Sequence, residues 1–465
     1  MAEPIELDAL AEEVGDAAFE DERLNKRLKT IVAALGAAPG MSLPRSFDDA
    51  GLEAAYRFFS NVHVTPEEIL APHVEATRGR CDSHQDFLVI HDSTAFAYRR
   101  DGERRGLGRF KSAGPGAKQA FFAHVSLAVS ADGTRRPLGV AGLTTWIRGE
   151  SKSGTEYQRW EKQLRQTAGA LNGQRSAIHV MDREADDYEM FDALIRDGHR
   201  FVVRCMHNRC LESESGKLKI RALFDTVSAT VTRGVWLTRR RAKLDPIISK
   251  IHPPREERGA TLSVSAATVV LKRPQSRREH TTNPPPSVTI NVVRVWEPDP
   301  PEGDTPVEWL LFTNDPIETP EQQLAIVDHY RARWMIEEYF KALKTGCDFE
   351  RRQLQDYESL INLLATFAPI AYHLLLIRTE ARKAPDADAA VVLSRDHLDV
   401  LRLKGRRKLG PTPTVRDVYL AVAALGGHLK RNGDPGWLTL ARGYEKLETL
   451  TEGWLAAKLH LRSDQ

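Results

Sequence analysis

Cysteine is scarce in this chain, with four residues in 465. That leaves no disulfide framework and suits a reducing compartment, so a cytoplasmic, nucleoid-associated location is expected. Cys205, His207 and Cys210 lie close together, but a structural zinc site needs four ligands at paired spacing and the second pair is missing. No basic-then-apolar segment opens the chain, so no export signal is expected. No long apolar run is uninterrupted either. The longest, Leu360 to Ile377, contains Asn362, Thr366, Pro369, Tyr372 and His373, and reads as a buried helix and not as a membrane span. An excess of one charge is absent too: 66 Lys and Arg face 64 Asp and Glu, a net charge of +2. Any polyanionic partner must then be gripped by local basic patches and not by a global field. There is no glycine-rich phosphate loop of Walker type, which argues against nucleotide hydrolysis, and no internal repeat or low-complexity tract.

What is present is an ordinary globular composition, 41% hydrophobic and 28% charged, long enough for about two to four domains. Residues 1 to about 70 read as short helices with basic faces. Asp21 to Leu35 carries Arg23, Lys26, Arg27 and Lys29, Leu52 to Phe59 follows, and Thr65 caps a third helix before Pro66. Such helices suit a DNA-binding module of helix-turn-helix type, and equally a small bundle with a basic surface. The period then changes. Phe87 to Ile90 is a buried-strand run with Asp92 expected at its end, and Ala120 to Ser130 and Pro137 to Ile147 continue an antiparallel meander through the Asp132-Gly133 turn. Ala177 to Met181 is a second buried strand ending in a carboxylate, Asp182. A helix and the strand Phe201 to Arg204 follow, a unit that implies a parallel pair. The pattern is a mixed α/β sheet, in which chemistry gathers at strand ends.

From Cys205 to about Pro306 the chain reads as a β-rich insertion. Its tract from Arg239 to Glu279 holds eleven Lys or Arg against four acidic residues, a local +7 that can track a phosphate backbone or simply keep a loop soluble. Trp309 to Thr313 is one more strand, and Thr319-Pro320 starts a helix that runs into Tyr330 to Lys344. At about 100° per residue, Tyr330, Arg333, Glu337, Lys341 and Lys344 share one face of a continuous helix, with Ile336, Tyr339 and Leu343 opposite. That face reads either as a metal-holding carboxylate among phosphate-holding cations, or as a surface helix with internal ion pairs. Tyr357 to Ala381 is a second long helix. Arg382 to Thr414 is polar with a basic knot from Arg402 to Lys408, and Val415 to Leu425 and Trp437 to Leu461 are closing helices. Two strand-end aspartates and a helix-borne glutamate are the pieces of a two-metal phosphoryl-transfer site.

Three blocks make the chain resemble the bacterial cut-and-paste DDE transposases on a ribonuclease-H-like fold, specifically the Tn-five type of the insertion-sequence-four family. They are Ile90-His91-Asp92-Ser93-Thr94 with Tyr98-Arg99, Asp182-Arg183-Glu184-Ala185-Asp186, and Tyr330-x2-Arg333-x3-Glu337-x6-Lys344. They stand in order, with 90 and 155 residues between successive carboxylates. The resemblance implies an α/β ribonuclease-H-like mixed-sheet catalytic core (71–381, with the insertion about 205–306), a helical DNA-binding domain at 1–70 and a helical dimerisation domain at 382–465. It implies that Asp92, Asp182 and Glu337 are catalytic and bind two Mg²⁺ ions, with Mn²⁺ able to substitute. By the same resemblance Tyr330, Arg333, Lys344 and Lys341 hold DNA phosphate, Trp309 receives a flipped base, and Arg204 and Arg27 contact DNA. Core packing is the alternative for Trp309. The expected partners are inverted-repeat ends, target DNA and a second copy of the chain, with no membrane. The expected reaction is end nicking, hairpin formation and resolution, then strand transfer. A non-catalytic, domesticated DNA-binding protein or inhibitor, and a purely hydrolytic nuclease, stand as alternatives. His91, His124 and His179 are expected to be core residues, Glu338 an ion-pair partner, and Glu184 or Asp186 either an orienting group for Asp182 or part of a helix start.

Overall fold

A computed structural model describes residues 7–15, 17–98, 102–110, 118–147, 156–172, 176–213, 218–240, 242, 253–275, 283–429, 431 and 433–463. The chain forms two compact units, one made of Met1–Gln174 with Trp334–Gln465 and the other of Arg175–Arg333.

The first unit begins with helices α1 (Leu7–Gly15), α2 (Glu22–Ala37), α3 (Leu43–Ser46), α4 (Asp49–Phe59) and α5 (Pro66–Asp82). Asp21 caps α2 through the Arg23 amide. Thr65 and Glu68 close a reciprocal capping box on α5, with Pro66 in its first turn. Four strands follow, β1 (Phe87–Tyr98), β2 (Gly108–Phe110), β3 (Lys118–Ser130) and β4 (Pro137–Trp146), then α6 (Glu156–Ala170). β3 is antiparallel to β1 along its length, and β2 and β4 share its other edge. The meander is as expected, but β1 is not. It continues through Tyr98, so Asp92 lies within the strand, opposite Val125, and not at its end. The apolar run stops at His91 because burial on both faces stops there, while the hydrogen-bond ladder goes on.

The second unit holds β5 (Ala177–Met181), α7 (Tyr188–Arg196), β6 (Arg200–Arg204), α8 (Ile220–Phe224), β7 (Val231–Leu237), β8 (Arg258–Lys272), β9 (Ser287–Trp296), β10 (Glu308–Thr313) and α9 (Pro320–Ala332). β5 and β6 are parallel. β10 then pairs antiparallel with β6 and with β9, β9 with β8, and β8 with β7. The insertion thus extends the sheet of β5 and β6 instead of standing beside it. Much of its basic tract, including Arg241, Lys243, Lys250, Arg277 and Arg278, lies outside the described residues, as does Arg99. Of the cations that are described, Arg258 is already held by Glu297 at 2.5 Å and Asp304 at 2.8 Å.

The first unit resumes with α10 (Trp334–Lys341), α11 (Tyr357–Lys383), α12 (Arg395–Lys404), α13 (Val415–Leu425) and α14 (Trp437–Ser463). The expected continuous helix from Tyr330 to Lys344 is broken. α9 ends at Ala332, Arg333 caps it by donating its amide N–H to the Tyr330 carbonyl, and α10 widens into a π turn at Ala342–Gly346. A π turn adds a residue and rotates the residues beyond it by about 100° from α register, so the single charged face projected for Lys344 does not hold. α11 is long and apolar enough to cross a membrane, yet its most apolar window is 100% buried inside the protein. It packs on α5 and β4, and Asn362 Nδ2 donates to the carbonyls of Phe59 and Val64, tying the early helices to it. α12 lies within the polar segment Arg382 to Thr414. The elements make an α/β, ribonuclease-H-like mixed-sheet core flanked by N- and C-terminal helical regions.

Candidate active site

In the first unit, β1 delivers Asp92 where the strand leaves the core. Leu88 to His91 are buried, and His91 is fixed by a 3.0 Å contact of its Nδ1 with Ser126 Oγ. Asp92 is half-buried, and its Oδ1 accepts the Ser93 amide. α10 packs against β1 and carries Glu337, also half-buried, on its first turn. Ile336 and Tyr339 are wholly buried, which sets how the helix is rotated. The π turn brings Lys344 back onto β1. Its Nζ donates to the Ala95 carbonyl at 2.7 Å and lies 5.3 Å from the centre of the Phe96 ring. Glu350 Oε1 lies 4.0 Å from that ammonium and accepts the Ala97 amide at 3.0 Å. Burial lowers the Lys344 pKa, while the charges of Glu350 and Glu337 oppose that shift. Lys344, Glu337 and the stretch of β1 just past Asp92 therefore lie together.

Lys341 sits differently. It is exposed, pairs with Glu338 at 2.6 Å and stands over the Trp334 ring. Glu338 also faces the buried Arg378 at 3.8 Å, so it is the ion-pair partner the sequence suggested. Arg27, half-buried on α2, lines a groove of about 350 Å³ between α2 and α4 together with Arg23, Arg57 and Asn61.

In the second unit, β5 is fully buried and Asp182 follows it as the N-cap of a short 3₁₀ turn, its Oδ1 accepting the Glu184 amide at 2.7 Å. Asp186 has a role that neither expected alternative covered. It is buried, accepts the amides of Met206 and His207, and pairs with Arg209, which pins the chain just after Arg204. Arg204 in turn hydrogen-bonds the phenol of Tyr330. Tyr330 is buried, and burial raises its pKa. The positive charges of Arg204 and Arg333 act against that rise and the charge of Asp182 acts with it. Trp309, half-buried on β10, meets the Tyr330 ring edge-on at 5.4 Å. Four residues, Asp182, Arg204, Trp309 and Arg333, are thus grouped around the Tyr330 phenol.

The remaining sequence candidates are structural. His91, His124 and His179 are buried. His124 meets Ser93 Oγ through Nδ1, while its Nε2 has no partner among the described residues. Cys205 is buried and its thiol, pushed up to about 12 by burial, donates to the His207 carbonyl, while Cys210 is exposed. Among the described residues, neither unit contains by itself a group of three His, Cys, Asp or Glu side chains able to hold a metal ion. The carboxylates of Asp92, Asp182 and Glu337 are half-exposed oxygen donors, the chemistry a hard divalent cation takes.

A mixed-sheet core between N- and C-terminal helical regions defines the ribonuclease-H-like class of folds. The transposase DDE domain family matches residues 84–368, and the transposase DNA-binding family matches residues 7–64. The chain belongs to the DDE transposases, and its substrate is DNA. Metal dependence is a general property of that family. Among solved structures, a piggyBac transposase synaptic complex with hairpin DNA aligns over 78% of this chain and 67% of that one, at 10% identity and a TM-score of 0.35.

Proposed function

We propose that the chain is a cut-and-paste transposase of the Tn-five type, and that Asp92, Asp182 and Glu337 act as one site on a scissile phosphodiester. The grouping of Asp182, Arg204, Trp309 and Arg333 around Tyr330 carries this reading. A buried phenol hydrogen-bonded to one guanidinium, within the field of a second and of a carboxylate, suits a DNA phosphate placed next to a reacting one. Asp92, Asp182 and Glu337 would hold two Mg²⁺ ions, which supply an activated attacking oxygen and stabilise the leaving one. Arg204 orients the Tyr330 hydroxyl toward a phosphate oxygen and Arg333 adds charge. Lys344, tethered to the Ala95 carbonyl, presents an ammonium beside Glu337. The exposed edge of Trp309 offers a stacking surface for an unpaired base. Lys341, once released from Glu338, and Arg27 in its groove add contacts to the ends.

The reaction proposed is nicking at each inverted-repeat end, hairpin formation and resolution, and transfer of the 3′-hydroxyl to target DNA. It would be carried out by a dimer formed through the C-terminal helices, where Leu438, Leu450 and Leu455 of α14 stay exposed. The division into domains at 1–70, 71–381 and 382–465 belongs to the same proposal. The decisive assay is strand cleavage on DNA bearing the element's own ends, in Mg²⁺. Asp92→Ala, Asp182→Ala and Glu337→Ala should each reduce cleavage at least about 1,000-fold while leaving end binding within about threefold. Retained cleavage in all three would sink the assignment, and end binding by the parent chain with no cleavage at all would mark a binding protein that has lost the activity.

A further inference from the structure

The most concentrated positive charge in the C-terminal region lies outside the residues proposed for cleavage and for end contacts. Residues 402 to 434 hold eight Lys or Arg against Asp417 and Asp434, a net +6 in a chain whose total is +2. The connection before α13, α13 itself and the stretch after it fold this segment into a groove of about 500 Å³. Arg406, Arg407, Arg416 and His428 line it over a floor of Leu420 and Ala424, with Asp434 at one side. Asp434 is taken up by Arg416 at 2.6 Å and Arg382 at 3.4 Å. Asp417 lies 3.7 Å from Arg407 and also caps α13. Arg402 is turned to Asp399 and to the Pro411 carbonyl. Lys404, Arg406 and Lys408 are exposed, while Arg407 and Arg416 of the groove already face Asp417 and Asp434.

We propose that this groove is a second DNA-binding surface, one that grips the phosphate backbone of duplex DNA without regard to sequence, apart from both end recognition and the cleavage site. It goes with the family's substrate being DNA and does not depend on the proposed catalytic steps. Arginine forks match phosphate oxygens in pairs, and an apolar floor suits deoxyribose better than it suits water. A chain with almost no net charge cannot hold a polyanion by its overall field, so a local +6 is where extra backbone contacts are gained. An acidic protein segment is the competing occupant. The basic residues favour DNA because Arg406, Arg407 and Lys408 are consecutive on the connection between α12 and α13, beside Arg416 on α13, as a track follows a backbone.

The test uses the full chain in EDTA, so that cleavage does not intervene, with a duplex lacking the element's ends. Affinity is followed by fluorescence anisotropy from about 50 to 300 mM KCl. R406Q/R407Q/K408Q should weaken binding about tenfold or more at ~0.1 M salt and lower the slope of log affinity against log salt by about two to three, one for each phosphate no longer neutralised. R406K/R407K/K408R should keep the slope. An unchanged slope in the glutamine variant overturns the proposal, even with weaker binding, because loss of fold or of self-association lowers affinity with the same number of phosphates neutralised. A polyglutamate peptide that binds the parent more tightly, charge for charge, than the duplex also overturns it. Because no metal is present, failure of the cleavage assay leaves this result standing.

Discussion

Lys344 shows how a single side chain can be fixed by its surroundings and tuned by a neighbour. Its ammonium is tied to the Ala95 carbonyl, burial draws its pKa down, and Glu350 holds the pKa up. Glu350→Gln keeps an oxygen for the Ala97 amide but removes the charge, so the Lys344 pKa should fall further. Lys344 would then lose its proton at a lower pH. The alkaline limb of the cleavage-rate profile should move to lower pH, with end binding at neutral pH unchanged. Superimposable pH profiles for parent and variant would exclude this role for Glu350. The sequence offered no sign of Glu350, because its partners are a backbone amide and a lysine on the far side of a π turn. Asp186 was visible only as a neighbour of Asp182, since the amides it accepts lie about twenty residues on.

At the level of elements, two contacts decide whether the helical regions hold. Asn362 donates to the Phe59 and Val64 carbonyls from the second turn of α11. Asn362→Leu leaves both acceptors buried and unpaired, and should cost about 2–4 kcal/mol, read from urea unfolding of the full chain. Where α13 crosses α14, a Cβ on Gly443 would stand 1.9 Å from the Val422 carbonyl oxygen, so no side chain fits without moving a backbone. Most elements were legible. Periodicity gave the meander, the parallel pair and α13, and composition marked α11 as buried. The departures have their causes in tertiary context. β1 ran on past Asp92 because its hydrogen-bond partner did, although its apolar pattern had stopped. The break at Arg333 occurs among good helix formers, where no local signal marks it, and the π turn at Ala342–Gly346 begins among them before it reaches Thr345 and Gly346.

For the whole molecule, buried histidines predict a response to acid. Burial lowers His373 to about 4 and His124 to about 3, against an ordinary value of 6.5. Neither ring nitrogen of His373 has a hydrogen-bond partner among the described residues. In the unfolded chain these groups take up protons below about pH 6.5, while in the folded chain they stay neutral until well below pH 5. The unfolded state then binds more protons, so stability is full above pH 6.5 and falls as the pH drops. The expected loss is about 1 kcal/mol for each histidine between pH 6.5 and 5.5, measurable as a lower urea midpoint. His373→Leu should remove about 1 kcal/mol of that loss, and an unchanged slope in this variant would rule His373 out as a source. The family itself was legible from three spaced motifs. The way the carboxylate on β1 and the one after β5 are shared between two compact units was not, because spacing of 90 and 155 residues carries no geometry.

The interruption of one unit by the other also sets an order of events during synthesis. α5 and β4 leave the ribosome early, but α11, the helix they pack against, lies beyond the whole of Arg175–Arg333. At about 5–20 residues per second, the nascent chain waits on the order of tens of seconds with that apolar surface bare. A newly made chain therefore depends on being shielded until residue 383 is out, and a message broken off before Tyr357 yields a product without the lid of its own core.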